Sequence, residues 1–171
     1  MPRYFEGSLA PPKGRFAVCV SRFNAFVTEE LLRGALDALL RHGVADEDID
    51  VFRVPGAFEL AGLARRVAEQ GGYVGVICLG AVIRGGTPHF EYISSEVARG
   101  IGTLALSSQC AISFGVLTCD TVEQAIERSG AKAGNKGWEA AVACIEMVNL
   151  NSKVSHGLLK GRLTAVEGKK K

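Results

Sequence analysis

The sequence predicts an α/β fold in which a four-stranded parallel sheet carries helices on both faces. Strand-like and helix-like patterns alternate four times along the chain, the arrangement that builds parallel sheets. The strand segments are near-continuous apolar runs, as expected where both faces of a strand are covered. No repeat and no linker divides the 171 residues, so one domain is the simplest count. The crossovers between its strands should be right-handed.

RFAVCVS (15–21) reads as the first strand. The helix after it runs from about Ala25 to His42, with a core stripe of Leu32, Ala35, Leu36, Leu39 and Leu40 and a stop at Gly43. DIDVFRV (48–54) is the second strand, broken by Pro55-Gly56. Phe58, Ala61, Leu63, Ala64, Val67 and Ala68 mark the next helix, which Gly71-Gly72 ends. YVGVICLGAVI (73–83) is the third strand, and a helix opens after Thr87 with Pro88 at its first position, where a missing N–H is tolerated. Phe90, Ile93, Val97, Ile101 and Leu104 recur every three or four residues along it. ISFGVLTC (112–119) is the fourth strand, and Asp120 with Glu123 forms a capping pair for TVEQAIERSG. AKAGNKG breaks the chain before a last helix, WEAAVACIEMVNL, that buries Trp138, Ala141, Val142, Ile145 and Val148. The boundaries expected are an N-terminal arm (1–14) with a strand-like YFEGSL run, the α/β domain (15–150) and a basic C-terminal tail (151–171). The arm's strand adds to this subunit's sheet or to a neighbour's.

Composition narrows the function classes. Hydrophobic residues make up 47% and charged residues 22%, which suits a globular protein with a real core. No apolar run reaches the ~18 residues of a membrane span, and the start lacks the apolar region of a secretion signal, so a cytoplasmic location is expected. Net charge is +2, yet the segment after Asn151 holds six Lys/Arg against Glu167 alone. The body has no basic stripe interleaved with aromatics, so no nucleic-acid partner is expected. None of the five cysteines forms a CxxC pair, and Cys19, Cys78 and Cys119 sit in apolar runs as small buried hydrophobes. No metal site is expected.

In a parallel sheet the strand-to-helix turns gather on one rim, where ligands bind. Those turns hold Phe23, Glu59, Arg84, Thr87 and His89. His89 lies near the second position of its helix, where the dipole opposes the charged imidazolium and leaves a ring able to accept and return protons. From position alone it is either that acid–base group or a surface histidine bonded to a loop. His42 reads as a structural helix-end residue, and His156 lies in the polar tail. Gly85-Gly86-Thr87 is either an anion turn at a helix N-terminus or an ordinary tight turn with Thr87 capping the helix. Phe23 either stacks on a flat ring or staples the next helix. Glu59 suits its first turn whatever its function. Arg128 and Lys136 bracket the Gly-rich break, and neither can reach the rim within one chain. Phe114, near the start of its strand, should point to the opposite rim.

The pieces SRFN (21–24), VPGAFEL (54–60), LGAVIRGGTPHFEY (79–92), FGVLT (114–118) and IERSGAKAGNKG (126–137) together resemble the lumazine synthase family, in its order and spacing, from about Phe5 to Leu150. The resemblance implies a flavodoxin-like three-layer αβα sandwich. It also implies a cofactor-free, metal-free condensation of 5-amino-6-(D-ribitylamino)uracil with 3,4-dihydroxy-2-butanone 4-phosphate in riboflavin biosynthesis. By motif, Phe23 stacks on the pyrimidine, Ala57, Phe58 and Glu59 line the ribityl side, and Ala81, Val82 and Ile83 border the pyrimidine. Gly86 and Thr87 hold the phosphate, Arg128 binds it by charge, and His89 transfers protons, with Phe114 and Lys136 completing the site. The family's sites lie between subunits of a homopentamer, so the neighbour would supply Phe114, Arg128 and Lys136. Some members assemble twelve pentamers into an icosahedral shell, some enclosing riboflavin synthase; AKAGNKG here is similar to shell-forming members. Gly86 departs from the Ala, Asp or Glu of many relatives, leaving only backbone to make contacts there.

Without the resemblance, two readings compete: a phosphate-ester enzyme using His89, and a non-catalytic flavodoxin-like module that binds a flavin or nucleotide on Phe23. A shell scaffold without activity is a third.

Overall fold

A computed structural model describes residues 2–132 and 134–155. The elements run β1 (Arg15–Ser21), α1 (Ala25–Arg41), β2 (Ile49–Val54), α2 (Leu60–Gln70), β3 (Tyr73–Ile83), α3 (His89–Ser107), β4 (Ala111–Cys119), α4 (Val122–Arg128) and α5 (Lys136–Lys153). Short 3₁₀ turns at Asp46–Asp48 and Ala57–Glu59 precede β2 and α2. The four strands pair in the order β2-β1-β3-β4, all parallel, as expected.

Strand alternation divides the core. Phe16, Val18 and Val20 of β1 face one side, where Leu31, Ala35 and Leu39 of α1 and Ala141, Cys144 and Ile145 of α5 cover them. Ala17 and Cys19 face the other, against Leu60, Ala64 and Val67 of α2 and Val97 and Ile101 of α3. Two helical layers thus enclose the sheet. Burying each large aliphatic side chain contributes about 1.5–3 kcal/mol. The first layer is tight: a Cβ on Gly137 would stand 1.9 Å from the Leu31 carbonyl oxygen, so only glycine lets α5 approach α1 there.

Several expectations shift. Val27, Leu31 and Ala38 belong to the buried face of α1, while Leu40 is 47% exposed. Phe58 lies in the 3₁₀ turn rather than in the core stripe of α2, and is exposed. The cap of α4 is Thr121, whose Oγ1 accepts from Gln124 N at 3.2 Å, while Gln124 Oε1 accepts from Asp120 N at 3.0 Å. The pairing sits one residue later than Asp120/Glu123, where the next residue, threonine, is also a competent cap. Helix α5 begins two residues before Trp138, since Asn135 Oδ1 accepts from Gly137 N and Trp138 N at 2.8 and 3.1 Å.

The arm forms no strand in its own sheet over residues 2–14. It lies along α5 instead: Asn149 Nδ2 donates to the Ser8 and Ala10 carbonyls, at 2.7 and 2.9 Å, and Lys153 Nζ to the Glu6 carbonyl, at 2.9 Å. The helix therefore runs past Leu150 to Lys153, and the rest of the expected tail, 156–171 with His156, lies outside the described residues. Among the described residues, no helix is long and apolar enough to cross a membrane.

Candidate functional site

From β1 the chain moves outward to β2 on one side, and from β3 to β4 on the other. That reversal opens a crevice at the carboxyl ends of β1 and β3, where ligands bind in open α/β sheets. A cleft of about 260 Å³ lies there, lined by Phe23, Asn24, Gly56, Ala57, Ala81, Val82, Ile83, Gly85, Thr87, His89, Phe90 and Ile93. A larger groove of about 830 Å³ runs between α2 and α3. Its charged residues pair with one another, Arg65 with Glu69 and Arg99 with Glu96, and it lies away from the carboxyl-end crevice.

Each wall follows from local sequence. The apolar run of β3 is buried up to Val82 and ends in Ile83, which carries it to the rim. The Arg84 backbone N–H then donates to the Cys119 carbonyl at 2.9 Å. Gly85 and Gly86 turn the chain into α3. A Cβ on either would meet nothing within 4 Å, so local packing does not demand glycine there. Helix α3 begins at His89, with Pro88 at the cap and no side-chain capping bond. His89 is thus the first helical residue, and Thr87 is not the cap. On the β1 side, the Arg22 and Phe23 amides donate to the Val54 and Pro55 carbonyls, at 2.8 and 3.0 Å. Phe23 is 70% exposed, which leaves its ring free to cover a ligand.

Glu59 does not line the cleft. Its Oε2 accepts from Gly56 N at 2.8 Å, and so shapes the turn that does. Phe58 and Gly86 flank the cleft in the chain without lining it. Arg84, expected on the rim, is held there: Nε donates to Asp120 Oδ1 at 2.7 Å, Nη1 pairs with Glu91, and the guanidinium sits 4.3 Å from the Phe90 ring centroid. Its hydrogen bond holds the Glu91 carboxyl below the usual range.

Three expected residues lie elsewhere. Phe114 pairs in register with Cys78, about 10 Å back along the sheet from Ala81 at ~3.3 Å per residue. It is 46% exposed, in an apolar groove with Ala98, Ile101, Ala105 and Ile112. Arg128 ends α4, with Nη1 donating to the Gln124 carbonyl at 3.1 Å. Lys136 opens α5, paired with Glu139 at 2.5 Å. Both sit in the α1/α5 layer, across the sheet from α3.

Asn24, Gly56, Gly85, Phe90 and Ile93 also line the cleft. Phe90 and Ile93 read in the sequence only as core positions of α3. Ile93, four residues past His89, shares its side of the helix, and Phe90 follows His89 directly in the first turn. Among the described residues, no three His, Cys, Asp or Glu side chains gather into a metal-binding group. The cleft thus joins an exposed aromatic, a strand edge, a glycine turn at a helix N-terminus and a histidine.

Residues 13–152 match the family model of 6,7-dimethyl-8-ribityllumazine synthase. Three relatives bear that same name. One from Myxococcus xanthus (strain DK1622) is 66% identical over 160 residues, covering 91% of this chain and 96% of the relative. One from Anaeromyxobacter sp. (strain Fw109-5) is 60% identical over 85% of this chain and 90% of its own length. One from Desulfatibacillum aliphaticivorans is 55% identical over 88% of this chain and 97% of its own.

Proposed function

Since this chain belongs to the 6,7-dimethyl-8-ribityllumazine synthase family, we infer that the cleft at the β1/β3 crevice is half of a condensing site that a second subunit completes. The activity is that of a transferase in riboflavin biosynthesis. It joins 5-amino-6-(D-ribitylamino)uracil to 3,4-dihydroxy-2-butanone 4-phosphate and releases the lumazine, inorganic phosphate and water. The observation that carries this reading is the gathering of Phe23, Ala81, Val82, Ile83, Thr87 and His89 around one cleft.

The pyrimidine lies between the Phe23 ring and the Ala81–Ile83 edge. The ribityl chain leaves the cleft past Ala57 and extends toward Phe58 and Glu59, which flank it. Thr87 and the Gly86 backbone take the phosphate at the N-terminus of α3, where free N–H groups favour an anion. The uracil amine attacks the ketone carbon, and water leaves to give an imine. Phosphate leaves with the electron pair of its C–O bond as a carbon proton is removed, and ring closure expels a second water. His89 stands beside the phosphate turn to carry these protons, a contribution of about 10²–10⁴-fold. Holding both reactants together supplies much of the rest.

Phe114, Arg128 and Lys136 lie outside this chain's cleft and serve a neighbour's. Arg128 then neutralises the phosphate from across the interface, and Phe114 and Lys136 border it. The assembly is a homopentamer, with twelve pentamers forming an icosahedral shell that can enclose riboflavin synthase. No cofactor or metal takes part. The test is complementation: His89→Ala and Arg128→Ala chains, each nearly inactive, are dissociated, mixed in equal amounts and reassembled. Shared sites restore about a quarter of wild-type activity, because each interface draws one wall from each chain. No recovery after verified mixing overturns the shared site, and analytical ultracentrifugation gives the size of the assembly.

A further inference from the structure

Asn24 carries an unusual backbone. With φ 60 and ψ 46 it occupies the left-handed region, alone among the described non-glycine residues. It is also the N-cap of α1, where an asparagine ordinarily keeps an extended backbone and its side-chain oxygen accepts a helix N–H. Here the side chain makes no capping bond. Its Nδ2 instead donates to the Ala81 carbonyl, 57 residues away, at 3.0 Å.

That carbonyl lies beyond the ladder joining β1 to β3, whose last pair is Val20 with Leu79. The Asn24 amide therefore extends the tie between the two strands past their last backbone pairing. The Asn24 carbonyl meanwhile accepts from Val27 N and Thr28 N, at 2.9 and 3.0 Å, and starts α1. One residue earlier, the Phe23 amide is tied to Pro55 O at the end of β2. Phe23 is thus fixed through its backbone on both sides, while its exposed ring has little packing to hold it.

We propose that Asn24 is a positioning residue that sets the width of the slot between the Phe23 ring and the Ala81–Ile83 strand edge. It selects a flat heteroaromatic ring and acts on that substrate alone. The proposal rests on the functional reading above and deepens it. Asparagine suits the position because it tolerates the left-handed backbone and carries an amide donor.

Three variants separate these properties. Asn24→Gly keeps the backbone and loses the tie. Asn24→Asp keeps much of the backbone tolerance but turns a carboxylate on the Ala81 carbonyl. Asn24→Ala loses both. Steady-state kinetics on the full chain are run with each substrate varied in turn, alongside thermal melts. We expect Asn24→Gly to raise KM for the ribitylaminouracil about five- to tenfold, the scale of one net hydrogen bond. KM for the butanone phosphate should stay unchanged. The melting temperature should fall by a few degrees at most, the scale of one hydrogen bond in a chain of this size, and Asn24→Asp should be impaired further. Product from the wild-type chain with wild-type kinetics in both Asn24→Gly and Asn24→Asp would overturn the proposal alone, as would a lower melting temperature with neither KM changed or with both raised equally. If the wild-type chain formed no lumazine, the underlying reading would fail, and the proposal with it.

Discussion

The guanidinium of Arg84 lies 4.3 Å from the centroid of the Phe90 ring. Its other contacts, to Asp120 at the end of β4 and Glu91 in the first turn of α3, make it a brace across the turn that carries Gly86, Thr87 and His89. These groups are exposed, so the brace adds little to global stability. Its effect should be local. Arg84→Gln is expected to lower kcat/KM about tenfold, within the ~100-fold that an ångström of misplacement can cost, and to leave the melting temperature nearly unchanged. Steady-state kinetics beside a thermal melt check both halves.

His89→Ala should reduce kcat about 100-fold without altering the circular dichroism spectrum. Residual turnover should persist, because the variant still brings the two substrates together. Unchanged turnover across pH would remove the proton-transfer role.

The cysteine thiols give a chemical test of the core. Burial pushes Cys19 and Cys144 up to about 12, and Cys78 well above its ordinary value. At pH 8 these three should resist iodoacetamide in the native protein and react fully once unfolded, since the thiolate is the reactive form. Peptide mass spectrometry of labelled samples reads this directly.

Glu29 and Arg53 tie α1 to β2 through two hydrogen bonds. The hydrogen bond from Arg53 lowers the Glu29 carboxyl below its ordinary value. A carboxyl depressed in the folded state stabilises above its unfolded pKa of ~4.3, and that contribution is lost as pH falls through the lowered value. Both side chains are more than a third exposed, so after screening the pair is worth about 0.2–1 kcal/mol. Glu29→Gln should therefore melt slightly lower than wild type at pH 7, with the gap closing below about pH 4. Melts across pH measure it.

Asn135 holds the break before α5 from four directions. Its Nδ2 donates to the Glu30 and Ser129 carbonyls, both at 2.8 Å, while its Oδ1 caps the helix. Asn135→Ala should cost about 2–3 kcal/mol, a lost cap plus a carbonyl left without its donor. Denaturant unfolding followed through Trp138, the chain's one tryptophan, is the measurement.

The parts of this molecule legible in its sequence are those governed by neighbouring residues. Strand β3, its glycine turn and the histidine at the start of α3 form one continuous segment, and apolar periodicity marked both elements. The capping of α4 was misplaced by one residue because adjacent Asp120 and Thr121 are both competent caps, and the weaker one by type is the one used. Asn24 shows why the rest was hidden. Its partner Ala81 is 57 residues distant, and nothing in SRFN announces a left-handed backbone. Phe90 and Ile93 repeat at helical spacing, so a pattern that marks a core face also marked part of the cleft wall. Phe114, Arg128 and Lys136 could be tied to the cleft only through the family resemblance, because within this chain they lie away from it.

The most direct measurement mixes the wild-type chain with 5-amino-6-(D-ribitylamino)uracil and 3,4-dihydroxy-2-butanone 4-phosphate and follows lumazine fluorescence and inorganic phosphate together. The cleft described here should yield both in equal amounts. Phosphate without lumazine, or tight flavin binding with no product, would contradict it.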